Sequence, residues 1–296
     1  MTFHQLISQQ LALPIISDID ALSTNHLVSN EHTLEQVMKT ALRCDSIGFG
    51  FAAGYRSALQ ALLPELDVTR WAAMCVTEAA GNHPRNIQCM VDESGVLNGE
   101  KSFVTMAEFE PQLLVVAKAG EGESTPILKA VLVDSLAKNV EITMMPPLPM
   151  VPEVGHGKIT FKQAEGKLLE GDGYNHYSKR FRTIEDTHVL MGFTSVLLSI
   201  AYRHKLDAAL IEKAILQAAS IMQTQSSLND DDPVFHLHLA AMFENFRNLC
   251  AEFESQFEHL PETVTSNWLR DKKLFGVANK ARQVRREKAL GTLNLI

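Results

Sequence analysis

The spacing of apolar residues changes twice along this chain, and that change constrains the fold more than any other feature. From Leu6 to Leu66 the pattern is helical: Leu34, Val37, Met38, Ala41 and Leu42 fall on one face. From Trp71 to about Glu170 the period shortens to two. Ile87, Cys89 and Val91 alternate with polar residues, and Ser102–Thr105, Leu113–Ala117, Ile127–Asp134, Val140–Met145 and Lys158–Phe161 read as further strands. Glu93-Ser94-Gly95 reads as a turn, and Asn98-Gly99 as a hairpin. From Tyr177 the helical period returns. Helices are expected over Ile184–His204, Leu206–Thr224, Val234–Leu260 and Ser266–Leu290, with Asn229-Asp230-Asp231-Asp232-Pro233 capping the third. The expected fold class is therefore α+β multidomain: helical residues 1–70, a central antiparallel β-barrel or sandwich at 71–170, and a C-terminal helical bundle at 171–296.

Composition narrows what such a chain does. With 296 residues and 46% hydrophobic content, the chain can bury a substantial core without disulfide or metal support. The net charge of −8 argues against nucleic acid or an anionic membrane as partner. Residues 270–288 depart from this balance. Arg270, Lys272, Lys273, Lys280, Arg282, Arg285, Arg286 and Lys288 face only Asp271 and Glu287, a local +6 that fits a solvated or ion-paired helix face. Cys44, Cys75, Cys89 and Cys250 form no C-x-x-C pair, and Met1–Pro14 lacks the pattern of a secretory leader. These features imply reduced thiols and a cytoplasmic protein. The apolar run Val189–Tyr202 is short for a bilayer span and fits a core helix.

Several motifs have plain structural readings. Gly48-Phe49-Gly50-Phe51-Ala52-Ala53-Gly54 has no strand before it and no Gly-Lys-Ser/Thr after it, so close helix packing explains it better than a phosphate loop. His236 and His238, two apart on a helix, point to different faces and do not share a metal ion easily. No metal site is expected.

Three stretches carry a resemblance. They are Cys75-Val76-Thr77-Glu78-Ala79-Ala80-Gly81-Asn82, then Val96-Leu97-Asn98-Gly99-Glu100-Lys101-Ser102-Phe103-Val104-Thr105, then Glu170-Gly171-Asp172-Gly173-Tyr174. In this order, on a helical–β–helical background, they resemble the acyl-CoA dehydrogenase family. The resemblance implies FAD held between β domain and bundle, an acyl-CoA or related thioester as substrate, and a homodimer or higher homo-oligomer. It implies oxidation of the CH–CH group: a carboxylate removes the α proton and the β hydride goes to flavin N5. By the match of motifs, Thr77, Phe103, Val104 and Thr105 would contact the flavin, and Asn82 would stand where the family contacts the acyl-CoA. The family's late Tyr-Glu-Gly, which carries the usual base, is absent here. Some members place the base on the first bundle helix, and by that match Glu185 is the catalytic candidate; without the resemblance, Glu185 and Asp186 read as charges at a helix start. Where the family has Arg-x-x-Phe-Gly, this chain has Arg203-His204-Lys205-Leu206-Asp207. The alternative to an enzyme is a non-catalytic relative that binds an acyl thioester, a partner protein or nucleic acid.

Overall fold

A computed structural model describes residues 2–25, 27, 28, 31–122, 125–227 and 232–295. The chain forms two compact units. A helical unit comprises residues 1–57, 149–151 and 185–296; a sheet unit comprises residues 58–148 and 152–184.

The sheet unit is built on eight strands: β1 Ala72–Cys75, β2 Met90–Val91, β3 Val96–Thr105, β4 Gln112–Glu121, β5 Pro126–Asp134, β6 Val140–Met144, β7 His156–Glu165 and β8 Lys167–Leu168. They form one sheet in the order β6-β7-β3-β2-β4-β5-β8, with β1 beside β4. Most pairings are antiparallel, as expected; β1 with β4 and β2 with β4 are parallel. One face closes over Leu97, Val104, Leu113, Val115, Val131, Ile159 and Phe161. The alternation that marked these strands in the sequence is thus the alternation of side chains into that core.

One expectation in this region is overturned. Asn98-Gly99 is not a hairpin turn but lies inside β3. The reversal occurs at Asp92–Gly95, where Asp92 Oδ1 accepts bonds from the Ser94 and Val96 amides. Gly99 has φ +136°, and a Cβ there would lie 2.7 Å from the Cys89 Cα. Its glycine serves a close backbone approach at an irregular register, not a turn. Asn98 Oδ1 accepts the Gln163 amide at 3.0 Å.

The helical unit contains α1 Phe3–Ala12, α2 Ile19–Thr24 and α3 Thr33–Ala41. The expected face of α3 is its buried face: Leu34, Val37, Met38, Ala41 and Leu42 are all inaccessible. The Gly48–Gly54 run lies in α4, Ile47–Leu62. It packs against α5, Lys179–Arg203. A Cβ at Gly54 would lie 2.7 Å from the His188 carbonyl oxygen, and one at Gly50 would lie 2.7 Å from Val196 Cγ2. Close helix packing is therefore the role of these glycines.

The bundle continues with α6 Ala208–Ser227 and α7 Pro233–Glu254. Asp232 caps α7 by accepting the Val234 amide at 2.8 Å, with Pro233 in the first turn. The remainder of that expected capping loop, residues 229–231, lies outside the described residues. Asp232→Ala should cost about 1 kcal/mol in chemical denaturation.

The single expected helix over 266–290 is instead two: α8 Glu262–Asp271 and α9 Asn279–Thr292, separated by a tight turn at Lys272–Gly276. Phe275 explains the break. Its ring packs 4.8 Å from Phe193, 5.0 Å from Phe246 and 5.6 Å from Trp268. Burying that ring at the corner outweighs continuing the helix.

The continuous helical stretch Gly173–Arg203 is long and apolar enough to cross a membrane by length and composition. It is also 89% buried over its apolar window, as a core helix is. All four cysteines are free and buried.

Candidate functional site

The sheet unit brings two of the three motifs together through a buried ion pair. Lys101 is fully buried, and its Nζ lies 2.6 Å from Glu78 Oε1 and 3.3 Å from the Val76 carbonyl. Glu78 also accepts the Gln88 amide at 2.7 Å and the Cys89 amide at 3.1 Å. A charge in such a place requires a partner and hydrogen bonds to persist. Glu78 is therefore a structural clamp that also holds the segment entering β2.

Next to each partner of the clamp stands a candidate contact residue. The Ser102 amide donates to the Thr77 carbonyl at 2.8 Å, which fixes Thr77 beside β3. The β3/β7 ladder is irregular between Lys101 and Val104. Phe103 stands in that gap with φ +55°, a left-handed conformation that costs energy in a residue carrying a Cβ. The residue is 52% exposed. Met106 follows at φ +59°, held by its amide to the Gly155 carbonyl at 2.8 Å. A bulge of this kind re-aims a side chain and opens backbone groups off the ladder.

The other candidates fall as follows. Thr105 is largely buried and pairs across the ladder with His156. His156 Nδ1 is buried with no hydrogen-bond partner among the described residues. Burial lowers the His156 pKa, partly offset by a hydrogen bond to the Val154 backbone. Val104 is fully buried, backbone and side chain alike, with its side chain in the sheet core, so the structure does not present it as a contact surface. Asn82 is exposed just past the turn bridged by Glu78 and Gly81. His156 was not legible as a site residue, because its place opposite Thr105 depends on a pairing fifty residues away.

Glu185 lies in the helical unit, half-buried on α5. Its neighbour Asp186 has another role. Asp186 is 7% exposed and forms ion pairs with Arg282, at 2.9 Å, and Arg285. Burial pushes its carboxyl above the usual range against the pull of Arg285 and Arg282. Neither carboxylate sits at a helix start, because the helical stretch begins at Gly173. The basic C-terminal segment is thus partly neutralised from within: Arg282 and Arg285 by Asp186, Arg270 by Asp271 and Lys272 by Glu254. Arg203, first in the basic cluster after α5, donates to the Leu13 carbonyl at 3.0 Å and the Leu42 carbonyl at 3.5 Å. It ties the C-terminal ends of α1 and α3 to α5. His238 meets Thr224 Oγ1 at 3.4 Å.

No family model matches the sequence, and no curated protein matches it either. Solved structures do match in shape. A structure described as an FAD-dependent dehydrogenase is 14% identical, with a TM-score of 0.72 over 99% of this chain and 98% of that chain. PigA, solved with FAD and proline, is 14% identical, with a TM-score of 0.69 over 99% and 92%. Butyryl-CoA dehydrogenase from Megasphaera elsdenii is 12% identical, with a TM-score of 0.66 over 97% and 89%. The chain therefore has the acyl-CoA dehydrogenase-like α+β fold. Its specific chemistry does not follow from a fold that hosts several reactions.

Proposed function

We propose that this chain is a flavin-dependent oxidoreductase that acts on the CH–CH group of an acyl thioester. The observation that carries the reading is Phe103: an exposed aromatic ring, held at positive φ, in a gap of the ladder next to Thr77 and Thr105. The residue types suit a flavin. Thr77 offers a hydroxyl, Phe103 a ring face, and His156 an unsatisfied nitrogen beside Thr105. The FAD-containing structures of the same fold support it. A bound flavin would supply a two-electron acceptor. Thr77 and the open backbone at Phe103 would hold its polar edge, and the Phe103 ring would cover one face. The Glu185 carboxylate would take the proton from the carbon next to the thioester carbonyl, and Asn82 would contact the substrate. Assembly as a homo-oligomer belongs to the same proposal.

The test is flavin uptake, followed by absorbance and fluorescence. The protein should take up FAD, and Phe103→Ala should weaken retention by about tenfold, the scale of one lost aromatic contact. Glu185→Gln should leave FAD uptake unchanged while abolishing bleaching of the flavin by acyl-CoA. Protein that neither carries flavin nor takes it up would overturn the enzyme reading. A second reading then takes its place: a non-catalytic relative that binds an acyl thioester or a partner. The internal use of Arg203 on two carbonyls favours it.

A further inference from the structure

The helical unit contains a cleft of about 710 Å³ between α7 and α9. Its floor is Leu237, Ala240, Ala241, Phe243 and Leu290; its polar lining includes Asn279, Arg282, Gln283, Arg286 and the pair Arg247–Glu244. The volume falls within the range of small-molecule sites, and the lining divides almost evenly between apolar and polar or charged side chains, as an amphiphilic ligand would require.

The cations of this cleft are unevenly committed. Arg282 is immobilised: it pairs with Asp186, donates to the Phe275 carbonyl at 2.6 Å and to Asn279 Oδ1 at 2.7 Å, and covers the Phe243 ring at 4.0 Å. Arg247 is balanced by Glu244. Arg286, one turn beyond Arg282 on α9, has no ion pair among the described residues. The lining therefore presents one uncommitted positive charge at the edge of an aliphatic floor. The one aromatic face is already taken by Arg282, which leaves no ring for a nucleobase to stack on.

We infer that the α7–α9 cleft binds a single-headed aliphatic anion, with its head at Arg286 and its chain along Leu237, Ala240, Ala241 and Leu290. This site lies wholly within the helical unit and does not depend on flavin being bound. The head chemistry, carboxylate or phosphate monoester, is shared by free fatty acids and by alkyl or acyl phosphates, and the probes separate these sources.

The experiment is calorimetric titration of the full chain with laurate, dodecyl phosphate, dodecanol, inorganic phosphate and AMP. Laurate or dodecyl phosphate should bind with a stoichiometry of one, and the tighter of the two identifies the head. Dodecanol and inorganic phosphate should each bind at least tenfold more weakly, since each lacks one half of the recognition. Arg286→Ala should weaken the anionic amphiphile by about tenfold and leave dodecanol unchanged. Ala241→Leu, an exposed helix position that tolerates leucine, should block both. Equal binding of AMP, or amphiphile binding that ignores both substitutions, would overturn the inference. So would no binding of either amphiphile; a change of oligomeric state in Ala241→Leu would then make the cleft an interface between copies.

Discussion

Glu78→Ala should destabilise the protein by about 3–5 kcal/mol, the cost of leaving one member of a buried ion pair uncompensated. Lys101 is wholly inaccessible to water, and Glu78 is its one carboxylate partner among the described residues. The same substitution strands the amides of Gln88 and Cys89, which lose the acceptor they share. Lys101→Met should cost less, because the carboxylate keeps those two amides and methionine refills most of the apolar stem. The double variant Lys101→Met/Glu78→Gln should be more stable than Glu78→Ala, since no unpaired charge remains and Gln still accepts a bond. Urea denaturation of the four proteins checks this. Midpoints should fall at unchanged slope. A loss below about 0.5 kcal/mol in Glu78→Ala would show that the pair is solvated rather than buried. The functional consequence is local. Thr77 precedes Glu78, and Ser102 and Phe103 follow Lys101, so loosening the clamp should reduce flavin retention at temperatures where the fold persists.

That clamp also marks where the sequence stops being readable. Glu78 and Lys101 both stand in stretches that carry the resemblance, yet nothing in a one-dimensional pattern says that they pair, because they stand 23 positions apart with β2 and a turn between them. Features written within one turn or one face were legible. The buried stripe of α3, the Asp232–Pro233 cap and the small-residue run of α4 are each written in residues within a few positions, although the partner of that run, α5, is distant in sequence. The Asn98-Gly99 reading failed for the same reason in reverse. The dipeptide favours a turn locally, but the cross-strand approach of Cys89 uses the glycine for space. The break at Lys272–Gly276 was hidden because the helical period continues through it, and only the aromatic cluster around Phe275 decides the corner. Of the candidate contacts, Phe103 was found as a residue type, but its positive φ was invisible, since no glycine or asparagine announces it. Glu185 and Asp186 are adjacent and chemically alike. Only the arginines of α9 show that Asp186 is committed to packing.

Gly192→Val should be the most damaging single change in the helical unit, costing about 3 kcal/mol or more. A Cβ at Gly192 would run into the backbone carbonyl of Gly50, which cannot swing aside as a side-chain end could. The helices must then separate, and valine adds a further penalty of roughly 0.5 kcal/mol from its stiff χ1 in a helix. Gly192→Ala separates the two effects. On propensity alone, alanine should stabilise a helix by up to about 1 kcal/mol. At Gly291, in the last turn of α9, a Cβ meets nothing within 4 Å, so Gly291→Ala should show that gain in thermal denaturation. Gly192→Ala should show a loss instead, because the backbone contact outweighs propensity. A gain at Gly192 equal to that at Gly291 would mean that α4 and α5 are not in contact there. The close crossing also positions chemistry. His188, one turn before Gly192, bonds Thr33 at 2.8 Å, and Glu185 lies less than two turns before Gly192 on the same helix. A shift of α5 forced at Gly192 therefore displaces the candidate base as well. Gly192→Ala should lower acyl-CoA-dependent flavin bleaching by more than its loss of stability explains, with FAD uptake retained.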